Sequence, residues 1–297
     1  MKKQVLIWGS GAIYNQHLNL LRFMEQVKEF NVIGVVANLF TGVSTLDGWR
    51  VIYKSMIPTI NFDYIIVMSD KFYEEIVLEA MSLGTDRGQI LSYKVLDIPN
   101  IDFNKYIHLK NSQISIISNN CWGGLVYNSL GLECLSPFKN LFLEDDDYLR
   151  LLINLRDYLE MPLEFVRFEI EIHSKQRYPV MRLGDIFVHC NHDDNPKDAL
   201  EKWNRRLKKI NYDNLFVEMY TEDKDIAEQF VSMNQYKNKI CFVPFETKCN
   251  DMLQLKLYPG QKEFYEVVNS HATYNANSNT YSLVDLLSGN IKRRIED

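Results

Sequence analysis

Cysteine is scarce and unpaired in this chain: Cys121, Cys134, Cys190, Cys241 and Cys249 are odd in number, widely spaced and form no Cys-x-x-Cys pair. A disulfide framework and a structural zinc site are therefore disfavoured, and free thiols in a reducing cytoplasm are the expected state. Long hydrophobic runs are missing too. No stretch approaches the roughly 18 apolar residues that a membrane helix needs, so no integral membrane segment is expected. Met1-Lys2-Lys3 and the apolar residues after it imitate a secretion signal, but Gly9-Ser10-Gly11 interrupts the run and polar, helix-like sequence follows. A basic surplus is likewise lacking. The formal net charge of -6 gives no global field to attract a phosphate backbone, so nucleic acid is not an expected partner. Neither an internal repeat of fixed period nor a low-complexity tract is present.

What remains is an ordinary globular composition, 46% hydrophobic and 24% charged over 297 residues. Single cores usually stop growing at roughly 250 to 300 residues, so two α/β domains are expected. From Lys3 to about Val95 short apolar runs alternate with amphipathic stretches, the pattern of a parallel sheet with crossover helices. The expected strands are Val5-Trp8, Val32-Ala37, Val51-Tyr53, Tyr64-Met68 and Gln89-Leu91. Ile13, Leu20, Leu21, Met24 and Val27 lie at helical spacing and form one stripe against that sheet. Asp70 is the expected N-cap of a helix over Lys71-Leu83, with Gly84 at its C-terminal turn. The turn formers of Asp97-Asn104 mark the expected link. This places a Rossmann-like domain at 1–104 and a second α/β domain at 105–297.

The second series predicts a strand at Ile114-Ser118, a helix over Leu125-Leu130 and a longer helix from Asp145 to Leu159. Phe165-His173 reads as an alternating strand with Val166, Phe168, Ile170 and Ile172 on one face and Arg167, Glu169, Glu171 and His173 on the other. A strand at Asp185-His189 follows. The next helix starts at Asn195 as N-cap with Pro196 at its first position and runs to about Ile210. Strands at Leu215-Tyr220 and Lys239-Phe242 flank a helix over Lys224-Met233, and Ser282-Leu287 reads as a closing helix.

Chemistry is expected at the ends of these strands. Gly9, Ser10 and Gly11 follow a strand and precede a helix, an arrangement that offers backbone N–H groups and a positive helix end to a phosphate. The dinucleotide fingerprint is incomplete, because Tyr14 takes the third glycine position and Asn38 stands where an acidic residue would hold a ribose. A small phosphate-bearing ligand is thus expected at Gly9, Ser10, Gly11 and Asn38, with NAD disfavoured and the cofactor otherwise undetermined. The competing reading is a scaffold kept for packing or homo-oligomerisation.

Ser118-Asn119-Asn120-Cys121-Trp122-Gly123-Gly124 also lies between a strand and a helix. Asn119 and Asn120 offer donors and acceptors to sugar hydroxyls, Trp122 a stacking face, and Gly123 and Gly124 close backbone approach. Cys121 is a candidate nucleophile, against the plainer reading of a small buried thiol. In the run His189-Cys190-Asn191-His192-Asp193-Asp194, neighbouring strand residues point to opposite faces, so no metal is assigned. Asp185 and His189, at i, i+4 along a strand, are candidate catalytic acid/base groups, with Arg182 or Glu246 completing the set. Arg205 and Arg206, on a basic helix face, are candidate phosphate ligands. Asp145-Asp146-Asp147 reads as charge complementing a helix start.

Taken in order, Ile116 to Gly124, Ser136-Pro137-Phe138, Tyr178-Pro179-Val180-x-Arg182-Leu183-Gly184-Asp185 and Trp203-x-Arg205-Arg206 resemble a bacterial domain-of-unknown-function family. Its members are described as exopolysaccharide or capsular polysaccharide biosynthesis proteins. The likeness runs from near Gln113 to near Tyr258, and the amino-terminal part is similar to Rossmann-like domains that accompany sugar-nucleotide enzymes. The resemblance implies a setting, glycan assembly, and no inherited catalytic residue. The expected function is a sugar or phosphosugar transferase. A non-catalytic nucleotide- or glycan-binding regulator and an NAD(P)-dependent oxidoreductase are the alternatives.

Overall fold

The computed structural model describes residues 2–38, 42–171, 174–257, 259–273 and 281–289. It divides into two compact units, Met1–Asn111 and Ser112–Asp297.

The first unit contains β1 (Lys3–Trp8), α1 (Ala12–Gln26), β2 (Phe30–Ala37), β3 (Thr45–Leu46), β4 (Trp49–Tyr53), β5 (Tyr64–Val67), α2 (Tyr73–Ser82), β6 (Ile90–Ser92) and α3 (Phe103–Asn111). Its sheet has the order β3-β4-β2-β1-β5-β6, with every neighbouring pair parallel except β3 and β4. The chain builds outward through β2 and β4, then crosses to the other side of β1 to lay down β5. The order therefore reverses between β1 and β5, and their carboxyl ends open side by side. Central placement explains the apolar run: Val5, Leu6 and Ile7 have no exposed surface.

Two local expectations change in this unit. Asp70 does not cap α2, because its carboxylate accepts from the Tyr93 hydroxyl at 2.6 Å, and Phe72 occupies the N-cap position. The expected link at Asp97-Asn104 belongs to the first unit instead. Phe103 is fully buried, its ring 5.1 Å from Phe30 and 6.0 Å from Tyr64, and its N–H donates to Glu29 at 2.9 Å. The units consequently part at Asn111/Ser112, seven residues beyond the expected boundary.

The second unit contains β7 (Ser115–Ser118), α4 (Trp122–Ser129), α5 (Asp145–Ile153), α6 (Leu155–Glu160), β8 (Leu163–Ile170), β9 (Arg177–Leu183) and β10 (Ile186–His189). After these come α7 (Pro196–Leu207), β11 (Leu215–Tyr220), α8 (Lys224–Val231), β12 (Lys239–Val243), β13 (Met252–Gln254), α9 (Phe264–His271) and α10 (Leu283–Leu287). A parallel sheet of order β13-β12-β11-β7 forms the base, and β10-β9-β8 form a separate antiparallel sheet. All four parallel strands end on the same edge.

The single helix expected over 145–159 is broken at Asn154, whose backbone (φ -132°, ψ 49°) leaves the helical region and re-aims Leu155, Tyr158 and Leu159 into the core. In β8 a bulge at Val166 shifts the register against β9. One extra residue moves every later side chain to the other face. Phe165 and Phe168 therefore share a face with ring centroids 4.9 Å apart, instead of the expected grouping of Val166 with Phe168. Ile172 and His173, expected to continue the strand, lie outside the described residues. The start of α7 follows its sequence signature: the Asn195 side chain accepts from the Asp198 N–H at 2.9 Å, with Pro196 at the first turn.

Candidate functional site

The parallel strands of the second unit deliver a polar cluster to their carboxyl edge. β7 ends at Ser118, and Ser118 and the next two residues are tied to β11 through side chains. Asn119 continues the ladder that the backbone leaves: its Nδ2 donates to the Tyr220 carbonyl at 3.1 Å and its Oδ1 accepts from the Tyr220 N–H at 3.2 Å. Asn120 donates to both carboxylate oxygens of Glu218, at 3.0 and 3.1 Å, and accepts from the Trp122 N–H at 2.6 Å. Ser118 donates to Glu218 and accepts from the Gly123 N–H at 3.2 Å. Ser118 and Asn120 thus satisfy the first N–H groups of α4, while Glu218 anchors both.

Glu218 has no exposed surface. Burial pushes its carboxyl up to about 7, against the hydrogen bonds from Ser118 and Asn120, which favour the charged form. Asp145, at the first position of α5, accepts from Thr221 at 2.5 Å and lies 3.4 Å from Asn119 Nδ2. Burial raises its carboxyl, the Thr221 hydrogen bond opposes this, and Glu144, Asp146 and Asp223 add like charge. The loop between β10 and α7 brings His192 to the same edge, with Nε2 3.2 Å from the Cys121 sulfur. Cys121 is half-buried and His192 exposed. Burial, reinforced by the Glu218 charge, pushes the Cys121 thiol up to about 11.

Several expected ligand contacts are instead structural. Trp122 is wholly buried between Phe216 and Phe242, its centroid 6.1 and 5.6 Å from theirs, so its face is closed to a sugar. Asn119 and Asn120 are also buried and spend their amides on β11, Glu218 and the helix start. A Cβ at Gly123 would come within 2.9 Å of Ile116 Cγ2 in the buried strand, and one at Gly124 within 2.7 Å of Asn140 Oδ1. Both glycines admit protein neighbours.

The second expected cluster does not assemble as a strand-face pair. Asp185 sits in the turn before β10, beside Gly184 at φ +63°, and is paired with Arg150 at 3.2 Å and the Tyr158 hydroxyl at 2.5 Å. The Tyr158 hydrogen bond is the main reason its carboxyl is held below the usual range. His189 ends β10, stacked on Phe142 at 4.2 Å and 3.4 Å from Glu169, and burial lowers its imidazole despite that carboxylate. Arg182 is exposed and binds Glu164 at 2.7 Å. Arg205 lies on the exposed face of α7, Arg206 donates to the Lys139 carbonyl at 3.0 Å, and Glu246 is exposed after β12.

In the first unit, Gly9 adopts φ +113° where the chain leaves β1 beside Met68, and Gly11 is an N-cap without a side-chain hydrogen bond. Tyr14 is buried and donates to Asp47 at 2.9 Å, filling the helix–sheet contact that a third fingerprint glycine would leave open. Asn38 accepts from the Trp8 indole at 3.2 Å.

Sequence reasoning missed Glu218, Asp145, Thr221 and the pairing of His192 with Cys121. Glu218 carries a signal, a lone acid inside the apolar strand Leu215-Phe216-Val217-Glu218-Met219-Tyr220. His192 carries none, since only the fold joins residues 71 positions apart.

Among the described residues no helix is long and apolar enough to cross a membrane. Residues 1–91 match the family C2185-like, N-terminal. A protein of Haemophilus influenzae described as uncharacterized is 38% identical over 138 residues, which cover 45% of this chain and 63% of that relative. The chain thus spans less than two thirds of the curated relative it matches. Residues 92–288 match the domain of unknown function DUF1919, the family to which this chain belongs.

Proposed function

We propose that this protein is a transferase of surface-polysaccharide assembly acting on a sugar nucleotide or phosphosugar, with its reacting centre at the carboxyl edge of the second unit's parallel sheet. One observation carries the reading: a thiol, an imidazole and a buried carboxyl network from four separate segments converge on that edge. Parallel sheets bind ligands there because loops and helix starts are presented together. The groups open to a ligand are Cys121, His192, Asp145 and Tyr220, and not the amides and indole behind them. The glycan setting is supported by the resemblance of the Asn119-Gly124 run and its companion motifs. In the first unit, Gly9-Ser10-Gly11 is the element suited to a phosphate, through exposed N–H groups and the start of α1.

A non-catalytic binding protein is the competing reading, favoured by the internal use of Asn119, Asn120 and Trp122. Thermal unfolding with sugar nucleotides, phosphosugars, NAD(P) and free nucleotides tests both. A bound ligand at about 100 times its Kd adds roughly 2.7 kcal/mol of stability. We expect a sugar nucleotide or phosphosugar to stabilise the protein and the Asp145→Asn variant to lose that gain. Stabilisation by NAD(P) alone, or by nothing in the panel, overturns the proposal.

A further inference from the structure

We propose that Cys121 is the nucleophile and His192 the base of an acyl transfer onto a sugar hydroxyl, an inference that rests on the carboxyl edge being the reacting site. The geometry singles out this thiol. Cys190 and Cys241 are buried, Cys249 is partly buried against the core, and Cys134 donates to the Ser136 carbonyl at 3.4 Å. Cys121 has an imidazole nitrogen 3.2 Å from its sulfur. Its position is fixed from beneath, because Ser118 and Asn120 hold the N–H groups of Gly123 and Trp122 and are themselves held by Glu218. His192 is exposed, so a proton it takes can pass to a leaving group or to solvent.

The surrounding charge selects the electrophile. Glu218 acts directly on the Cys121 thiol, while Glu144, Asp146 and Asp223 act on Asp145 at the same edge. An anionic phosphoryl group at the reacting atom would meet like charge, whereas a neutral carbonyl would not. A thiol with an imidazole base forms covalent acyl intermediates, so in this proposal the group transferred is acyl, carried in as a thioester. His192 Nε2 takes the Cys121 proton as sulfur bonds to the carbonyl carbon; the donor's carbon–sulfur bond breaks, and the donor thiolate takes the proton from His192. A sugar hydroxyl then attacks the acyl-cysteine, His192 takes the hydroxyl proton, and the proton returns to the departing Cys121 sulfur. Thioester plus alcohol becomes ester plus thiol, with no oxidant or reductant. The raised thiol means that Cys121 rests protonated and that its proton leaves as the bond forms.

The test uses the full chain with the acetyl thioester of N-acetylcysteamine, read by intact mass and peptide mapping. We expect one acetyl group on Cys121, released by hydroxylamine, and none on that site in Cys121→Ala. His192→Gln should acylate slower by on the order of a hundredfold, while its thermal unfolding matches the wild type. No acylation of Cys121, or equal rates in His192→Gln and wild type, overturns the inference. An unmodified Cys121 in a protein that a sugar nucleotide still stabilises removes the thiol chemistry and keeps the polysaccharide reading. Acylation of Cys121 in a protein that no sugar ligand stabilises does the reverse.

Discussion

At the scale of single residues, Glu218 governs the chemistry of the site and the response of the second unit to pH. Its folded carboxyl keeps a proton up to about pH 7, while the unfolded chain releases it near the ordinary value of 4.5. Unfolding therefore becomes easier as pH rises through that window, and stability that is full below it is lost above it. A shift of this size corresponds to about 3 kcal/mol. His271 works in the opposite direction: burial lowers its imidazole to about 4, so its contribution is present above the ordinary 6.5 and lost as pH falls. Glu218→Gln leaves His271 in place and isolates the carboxyl. Between pH 5 and pH 8, urea unfolding of this variant should show about 2 to 3 kcal/mol less loss of stability than the wild type. Identical pH profiles would contradict the assignment. Iodoacetamide should also alkylate Cys121 faster in Glu218→Gln at pH 9, because burial still raises the thiol but the added Glu218 charge is gone; an unchanged rate there would remove Glu218 as a contributor. Neither effect was legible in the sequence, since a lone glutamate in an apolar strand does not say which hydroxyls and amides will meet it.

At the scale of elements, the packing of α4 on β7 decides where Cys121 stands. A methyl group at Gly123 would press on Ile116 Cγ2 at 2.9 Å and Ser118 Cβ at 3.2 Å, atoms fixed in a buried strand. At Gly124 its tightest contact would be the side-chain oxygen of Asn140, which can move, with Lys139 Cγ next at 3.0 Å. Alanine improves helix propensity by up to about 1 kcal/mol at either position, and overpacking costs about 1 to 3 kcal/mol where neighbours cannot yield. Gly123→Ala should thus be less stable than Gly124→Ala by about 1 to 2 kcal/mol in denaturant unfolding, and the reverse order would refute this account of the helix–strand contact. Many element positions were readable from the sequence: the parallel strands other than β13, the Asn195 cap and the left-handed Gly84 (φ +92°) lie where periodicity and turn chemistry put them. The bulge at Val166 and the break at Asn154 were not readable. Each leaves the local pattern intact and is set by how the neighbouring element packs.

At the scale of the molecule, two compact units follow from length, but their border follows from packing. Residues 97–104 look like a linker because they are rich in turn formers. Phe103 nevertheless closes the first unit's core against Phe30 and Tyr64. Residues 1–111 produced alone should unfold in one cooperative transition, whereas residues 1–104, which lack most of α3, should bind a hydrophobic dye and show no sharp transition. Equal cooperativity in the two fragments would place the border back in the turn-rich stretch. The sequence by itself determined the α/β class, most of the parallel strands and their crossover helices and the loops able to carry chemistry, because periodicity, caps and turn residues act over a few neighbouring positions, whereas α3, β9, β13 and α9 appear only in the fold. Only the tertiary structure decided that Trp122, Asn119 and Asn120 are structural, that Asp185 and His189 go to separate environments, and that Cys121 meets His192 above Glu218. Those outcomes depend on burial and contact between segments well separated in sequence, 71 to 101 residues apart at the Cys121 edge, which no local pattern encodes.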